Sequence, residues 1–332
     1  RANVRFHRVA RPLGSHFLGQ RALATAGARV GADVMGREPE ARVVVNGGNC
    51  PLLDINWVHM VHAATEPLEE GLVSRTREAI IRRRALRTER AILPRSRILI
   101  VNSVRTRDDL ERRLGIDRSR IRLVYLGCET VPPPTPAERA LARRWLEVPD
   151  DAVVVSFVGA LSRLKGFDTL LDAWRALEVR GPRPVLVAAG AGPVARWRHR
   201  IDALGLADSV RLLGPISRVP ELLAASDLVV GPSRYDAYGL AIQEALARGI
   251  PAITTSRAGI SERYPESLSS LILEDVEDSR GLAQKIARAI DSLGLLRDLV
   301  SGVGATLRAR SWRDMACDLV EAVETERHVA RS

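Results

Sequence analysis

Ten short runs of apolar, β-branched residues recur along this chain, and segments of helical length separate many of them. The runs are Arg42–Asn46, Ile55–Val61, Arg97–Asn102, Ile121–Leu126, Val153–Val158, Val185–Ala189, Val210–Leu213, Leu228–Val230, Pro251–Thr254 and Ser270–Leu273. Such alternation commits the chain to βα units and parallel sheets, not to a sandwich or a helix bundle. At 332 residues the chain is long for one core and comfortable for two. The break falls at VPPPTPAE (Val131–Glu138), where four prolines occupy five positions. That segment is too stiff and too poor in donors for a helix or a central strand. The expected order is an N-terminal domain over 1–130, a linker over 131–137 and a second domain over 138–310. A C-terminal helix over 311–332 returns to the first domain.

No apolar run approaches the ~20 residues of a membrane-spanning helix. Cys50, Cys128 and Cys317 lie far apart, with no spacing that suggests a disulfide scaffold or a zinc site. A reducing cytoplasm is the expected location. Charge is distributed unevenly. Residues 1–130 carry 24 Arg, no Lys and 14 Asp or Glu, whereas residues 131–332 balance 26 basic against 26 acidic groups. The excess is densest between Arg75 and Arg122. It suits nucleic acid, an anionic membrane or acidic small substrates, and equally a set of solvated helix faces. With aromatics at 4% and no recognition motif, nucleic acid is the weaker reading.

Chemistry concentrates in loops that leave strands and enter helices. In RYDAYGLAIQEALARGIPAITTSRAGISE (Arg234–Glu262), Gly249 ends a helix over 241–248 and Pro251 opens the next strand. Asp236 then lies in the strand-to-helix loop and Glu244 in the first helical turns. Both belong at the carboxyl ends of parallel strands, where ligands bind. In FVGALSRLKGFDTLLDAW (Phe157–Trp174), a strand ends at Gly159, and Arg163 and Lys165 precede a helix. Cations beside a helix N-terminus suit a diphosphate, although a plain Lys-Gly turn reads the same way. AAGAGPVAR places Gly190 in a third such loop, and TTSRAGISE forms a fourth with Ser256–Gly259.

Together these stretches are similar to a known family. Residues 95–332 resemble the retaining nucleotide-sugar glycosyltransferases of the GT-B fold, family 4 (group 1). RILIVNSVRTRDDLERRLGIDRSRIRLVYLG resembles the last strand, helix and return strand of that family's first domain. FVGALSRLKGFDTLLDAW resembles its phosphate-binding turn, and VRLLGPISRVPELLAASDLVVGPS its nucleobase-side segment. Asp236 and Glu244 stand at the two acids of its Glu-x7-Glu signature.

The resemblance implies an α/β fold of two Rossmann-like βαβ domains facing a cleft. The first domain is expected to lack its initial strand and helix, because ANVRFHRVARP reads as a later strand. A few tens of residues are expected upstream, and their loop would touch donor and acceptor. It further implies that Glu244 accepts from the ribose hydroxyls and that Asp236, shorter than the family's Glu, lies near the donor hexose. An Asx turn is the alternative for Asp236. Lys165 stands at the phosphate lysine. Ala160 stands where the family often has Arg, so Arg163 is the candidate replacement. Gly159, Gly190, Ile216, Tyr238, Gly239 and Leu240 complete the expected donor site.

On the other domain, His62 matches a histidine that faces the donor sugar. His59 should point to the opposite strand face and reads first as a satisfied buried histidine, with the acceptor side as its functional reading, and Asn102 and Ser103 should line the acceptor side. Catalytic weight therefore falls on His62, Asp236 and Lys165. The implied activity is transfer of a hexose, with retention, from a nucleotide-diphosphate sugar to a glycan, lipid-linked or small-molecule hydroxyl. It needs neither metal nor cofactor, and it suits bacterial glycan or glycolipid synthesis. The Arg75–Arg113 region is the expected contact with an anionic membrane, at the inner face of the cell membrane. Two readings stay open beside this one: a non-catalytic nucleotide-sugar-binding module, suggested by Asp236 and Ala160, and a basic nucleic-acid-binding protein.

Overall fold

A computed structural model describes residues 6–9, 16–68, 72–129 and 131–329. The chain divides into two compact units, one of residues 1–124 with 320–332 and the other of residues 125–319.

The first unit contains α1 (His16–Arg37), β1 (Val44–Asn46), β2 (Ile55–Val58), α2 (Leu72–Ile92), β3 (Ile98–Val101), α3 (Val104–Leu114) and β4 (Ile121–Leu123). Its four strands pair in parallel in the order β1-β2-β3-β4. All four residues of β3 are buried, as expected of a parallel strand covered on both faces. Asp54 locks the strand starts together. Its carboxylate accepts from the Val43 amide at 2.9 Å and pairs with the Arg97 guanidinium at 2.8 Å. Of the expected strand in ANVRFHRVARP, residues 6–9 are irregular and the remainder lies outside the described residues. Helix α1, rich in Ala and Gly, had no counterpart in the strand-based reading.

The second unit holds α4 (Pro136–Trp145), β5 (Val154–Val158), α5 (Phe167–Arg175), β6 (Val185–Ala189), α6 (Val194–Ala203), β7 (Val210–Gly214) and α7 (Val219–Ala225). It continues through β8 (Leu228–Val230), α8 (Leu240–Ala247), β9 (Ala252–Thr255), β10 (Ile272–Leu273), α9 (Ser279–Asp291) and α10 (Leu293–Arg308). Helix α11 (Trp312–Val329) runs from this unit into residues grouped with the first. Six parallel strands lie in the order β10-β9-β8-β5-β6-β7. Strand alternation sorts the core. Val155, Phe157, Leu186 and Ala188 face one apolar cluster, while Val154, Val187 and Ala189 face a second beside Leu222 and Ala225 of α7.

Several strands are shorter than their apolar runs. The chain leaves β2 at Val58, β3 at Val101 and β4 at Leu123, and the run expected to begin at Ser270 pairs only at Ile272–Leu273. Residues 266–271 form a 3-10 turn instead. The apolar ends of these runs are buried beyond the paired strand, as at Val61 and Val124, and the Val124 amide still donates to the Val101 carbonyl at 2.8 Å. Burial lengthens an apolar run beyond its strand.

The proline segment gives way to α4 at Pro136. Thr135 closes a capping box with Glu138, the hydroxyl accepting from the Glu138 amide at 3.2 Å and the carboxylate accepting from the Thr135 amide at 2.7 Å. Helix α4 is tied down through buried Asp227, at the entrance of β8. That carboxylate accepts from Arg139 and Arg297 at 2.5 Å each, from Arg143 at 3.3 Å and from the Val154 amide at 2.9 Å.

Candidate functional site

In the second sheet, β5, β6 and β7 run outward one way and β8, β9 and β10 the other. The strand order therefore reverses between β5 and β8. Helices on either side of such a switch point leave a crevice at the strands' carboxyl ends. The two loops that meet there are 159–166, after β5, and 231–239, after β8.

Their contacts are close. The Lys165 ammonium donates to Asp236 Oδ2 at 2.6 Å, joining residues 71 apart in sequence. The Arg234 amide donates to the Leu164 carbonyl at 2.9 Å. Gly166 has φ +71°, and a Cβ there would fall 1.8 Å from the Pro232 carbonyl oxygen, so only glycine permits this approach of loop to loop. On the other side of loop 159–166, the Gly159 amide donates to Ala189 at 3.0 Å and the Leu161 amide to Ala191 at 2.8 Å. A Cβ on Gly190 would meet the Gly159 oxygen at 1.7 Å. Gly159 and Gly190 thus set the backbone of the crevice wall.

Beneath the loops sits Arg234, its side chain only 8% exposed. It donates to both oxygens of buried Asp168 (2.7 and 3.1 Å), to Thr169 Oγ1 at 3.1 Å and to the Arg163 carbonyl at 2.5 Å. It also makes two bonds to Glu277, at 2.5 and 2.7 Å. These bonds raise the guanidinium's pKa further despite burial, and they lower that of Glu277. Arg163, the expected replacement for the family's arginine, instead has its guanidinium 3.5 Å from Asp168. The carboxylate at the first turn of α5 draws it in, so its charge is committed within the loop. Ala160 is exposed and uncharged, and Lys165 is the loop cation that reaches the facing loop.

Asp236 forms the expected Asx turn and, in addition, an ion pair with Lys165 that the sequence did not indicate. Oδ2 accepts from Lys165, and Oδ1 accepts from the Tyr238 amide two residues on, at 3.3 Å, forming an Asx turn. Loop 256–259 packs alongside. The Asp236 amide donates to the Arg257 carbonyl at 3.2 Å, and the Gly259 amide to the Asp236 carbonyl at 3.0 Å. Tyr238 is placed differently from expectation. Its ring is buried in the core, and its hydroxyl donates to Gln243, whose amide donates to the Gly127 carbonyl at 2.8 Å. Being apolar over most of its surface, the ring enters the core and leaves only the backbone of 238–240 near the crevice. Gly239, at φ +103°, precedes α8, whose first turn has no side-chain cap. Helices α5 and α6 likewise lack one, whereas α3, α4 and α9 are capped by Ser103, Thr135 and Asp278. Helices α7 and α10, away from the switch point, are uncapped too, so what marks α5 and α8 is position: their first-turn amides follow the strands at the switch point, where an anion can meet them.

Glu244 lies within α8 and borders a cavity of about 160 Å³ with Leu240, Gln243, Glu129, Arg248 and Trp312. Burial raises its pKa and the Glu129 charge adds to this, while Arg248 opposes both. Ile216, just past β7, is half-buried against the cluster on the α7 side of the sheet. Gly190, Ile216, Leu240 and Glu244 therefore follow or flank neighbouring strand ends of one sheet.

In the first unit, β2 ends at Val58, so strand alternation does not reach His59 or His62 and fixes neither side chain. His59 is exposed, its ring 5.1 Å from Trp57, and it hydrogen-bonds Asn102. His62 opens a 3-10 turn, His62–Ala64. Burial lowers its imidazole pKa, and so does the charge of Arg82. Asn102 is buried, accepting from Trp57 Nε1 at 3.0 Å and donating to the Val124 carbonyl at 2.8 Å. Ser103 is fully buried as the N-cap of α3, accepting from the Thr106 amide at 3.0 Å. Both belong to the framework of β3 and α3. A polar pair directly after a buried strand reads as a ligand site or as a cap, and here it caps.

Arg234 and Asp168 were not anticipated from sequence. The one available signal was an Arg beside the Tyr-Asp of a ligand loop together with an Asp opening the facing helix. Glu89 was missed as well, although it is one of only two acids in the arginine-rich α2.

The comparisons with known proteins agree with this architecture. Residues 138–301 match the family described as glycosyl transferases group 1, and residues 39–131 match glycosyltransferase family 4. A D-inositol 3-phosphate glycosyltransferase of Salinispora tropica is 32% identical over 240 residues, covering 67% of this chain and 50% of that protein. A protein of the same description from Corynebacterium urealyticum is 30% identical over 284 residues, covering 81% of this chain and 66% of that one. The chain thus spans about half to two thirds of the length of these curated relatives. Among solved structures, sucrose-phosphate synthase from Thermosynechococcus elongatus superposes with a TM-score of 0.76 at 21% identity, over 97% of this chain and 81% of that one. The Anabaena protein HepE in complex with UDP-glucose gives 0.68 at 21% identity, over 94% and 84%.

Proposed function

Because the chain belongs to the group 1, family 4 glycosyltransferases of the GT-B fold, we propose that it transfers a hexose from a nucleotide-diphosphate sugar to a hydroxyl acceptor. The observation that carries this reading is the Lys165–Asp236 pair at the switch point, flanked by the uncapped starts of α5 and α8. A diphosphate entering the crevice takes Lys165 as counter-charge and the helix amides as donors. Asp236, relieved of the ammonium, is then available to the sugar hydroxyls. Glu244 accepts from the two ribose hydroxyls.

Transfer proceeds with retention by front-face attack. The acceptor oxygen bonds to the anomeric carbon as the bond from that carbon to the phosphate oxygen breaks, and the acceptor proton passes to the departing diphosphate. Lys165 and the α8 amides stabilise the charge that builds on the leaving group. His62 is the group assigned to the donor sugar. No metal is required in this scheme, so a chelator should leave the rate unchanged, and loss of the rate on chelation overturns that part. HepE was solved with UDP-glucose, which makes UDP sugars the first donors to test. The names of the relatives point to phosphorylated cyclitols as acceptors to include beside glycans.

The decisive test is a panel of nucleotide sugars screened for thermal stabilisation and then for transfer. Glu244→Ala should abolish donor binding by calorimetry, and unchanged affinity refutes the ribose assignment. A second reading, donor binding without catalysis, is favoured by Ala160 and by the commitment of Arg163 to Asp168. Donor stabilisation with neither transfer nor donor hydrolysis would establish it. Helix α2 supports an anionic membrane as the place where the acceptor is met. Arg75, Arg77, Arg83, Arg87 and Arg90 are exposed there together with Ile80 and Ile81. Failure to float with anionic liposomes would remove the membrane from this reading. No described helix is long and apolar enough to cross a membrane.

A further inference from the structure

The 3-10 turn that presents His62 is held by a helix that reaches it from well outside the local sequence. The Glu89 carboxylate of α2 spans the start of the turn, accepting from the His62 amide at 2.7 Å and from the Ala63 amide at 2.9 Å. Val61, at the N-cap, offers no side-chain cap of its own. One helical face holds the other end as well. Arg82 donates to the Thr65 carbonyl at 2.8 Å, and Glu78 accepts from the Leu68 amide at 2.9 Å. Residues 78, 82 and 89 project from one side of α2 at helical spacing, so both acids of the helix turn inward onto residues 62–68.

We propose that Glu89 is the positioning residue for His62, a role resting on the assignment of His62 to the donor sugar. Glu89 is 2% exposed, and burying a carboxylate is unfavourable unless its oxygens are well used. Both oxygens here are spent on consecutive amides at the root of the His62 side chain. The result is a short turn whose φ and ψ are fixed from outside, and the imidazole inherits that fix. Burial pushes the Glu89 carboxyl above its ordinary range, while the two amides and the charges of Arg90 and Arg82 pull it back. A displacement of about 1 Å in a group acting on a sugar lowers turnover by as much as about a hundredfold. The donor itself is gripped by residues of the second unit. Loss of Glu89 should therefore appear in turnover and not in donor affinity.

Glu89→Gln is the first variant, since the amide fits the space but can accept only one of the two N–H groups. Expected are a fall in kcat of at least about tenfold, a donor KM within twofold of the parent, and no added loss when Glu89→Gln is placed on His62→Ala. An unchanged kcat, a donor KM that rises with it, or full additivity with His62→Ala overturns the proposal. If Glu89→Gln does not fold, Glu89→Asp takes its place: it keeps the charge, withdraws the carboxylate by one methylene, and should give a smaller fall with the same pattern. Amide hydrogen exchange reads the clamp without reference to turnover. Faster exchange at His62 and Ala63 in Glu89→Gln supports it, and exchange at the parent rate overturns it. If His62→Ala alone retains the parent kcat, the assignment of His62 fails, while the exchange result still decides what Glu89 holds.

Discussion

Replacing Arg234 by Met tests whether the crevice floor is held as described. The substitution keeps an unbranched apolar stem and removes every guanidinium bond: two to Asp168, two to Glu277, one to Thr169 and one to the Arg163 carbonyl. Asp168 is 4% exposed, and after the change its charge keeps only Arg163, at 3.5 Å. Removing one partner of a buried ion pair costs about 3–5 kcal/mol, and the remaining contact argues for the lower end, about 3 kcal/mol. For a domain of this size each kcal/mol shifts Tm by roughly 2–4 °C, so calorimetry should show a loss of roughly 6–12 °C. Arg234→Lys, which keeps charge but not the paired geometry, should fall between the two.

The pH dependence adds a signature. The folded pKa of Glu277 is depressed by its bonds to Arg234. Its stabilising contribution is therefore complete above the unfolded value of about 4.3 and lost as pH falls through the lower folded value. The Tm difference between parent and Arg234→Met should accordingly narrow below about pH 4. Since Arg234 also carries the turn that bears Lys165, donor affinity should weaken in parallel. A Tm within about 2 °C of the parent, with donor affinity intact, refutes the reasoning.

Asp227→Asn leaves Arg139, Arg143 and Arg297 without their carboxylate and should destabilise the second unit by about 3–5 kcal/mol in denaturant titration. Gly190→Ala places a Cβ on the Gly159 carbonyl; about 1–3 kcal/mol of stability should be lost, with a larger proportional loss of donor affinity because the displaced backbone leads into Lys165. On the proposed ribose contact Glu244 accepts best as the carboxylate, and its pKa is raised by burial and by Glu129. Donor affinity should thus decay as pH falls through that raised value, and Glu129→Gln should move the decay to lower pH in calorimetric titrations.

Much of the scaffold was legible because strand alternation and helix punctuation are local. Gly249 and Pro251 marked the end of α8 and the start of β9 to within a residue, and Asp236 and Glu244 fell at their expected places around a strand end. Local signals did not separate ligand-facing polar groups from framework ones. Ser103 and Asn102 sit where a ligand residue would, yet each is consumed by neighbouring backbone. Tyr238 carries the same ambiguity, its ring taken into the core. Contacts between distant segments were out of reach. Arg234 beside the Tyr-Asp of its loop and Asp168 opening α5 were a faint signal for one pair, and nothing near His62 announces Glu89. The first pair forms because parallel strands bring the loop after β8 to the start of α5, and the second because helix α2 packs back against the turn after β2.

The two units also differ in how their segments are arranged along the chain. The second is a single continuous stretch, 125–319, whereas the first groups residues 1–124 with residues from Val320 onward, among them buried Val323. During synthesis the second unit can complete its core as it emerges. Residues from Val320 onward emerge only after the intervening stretch is translated, a delay on the order of ten to forty seconds at about 5–20 residues per second. For that interval the arginine-rich half stands on the growing chain without the residues grouped with it. Slowing translation through the second unit would prolong the exposure, and chaperone demand in this protein should therefore follow the elongation rate.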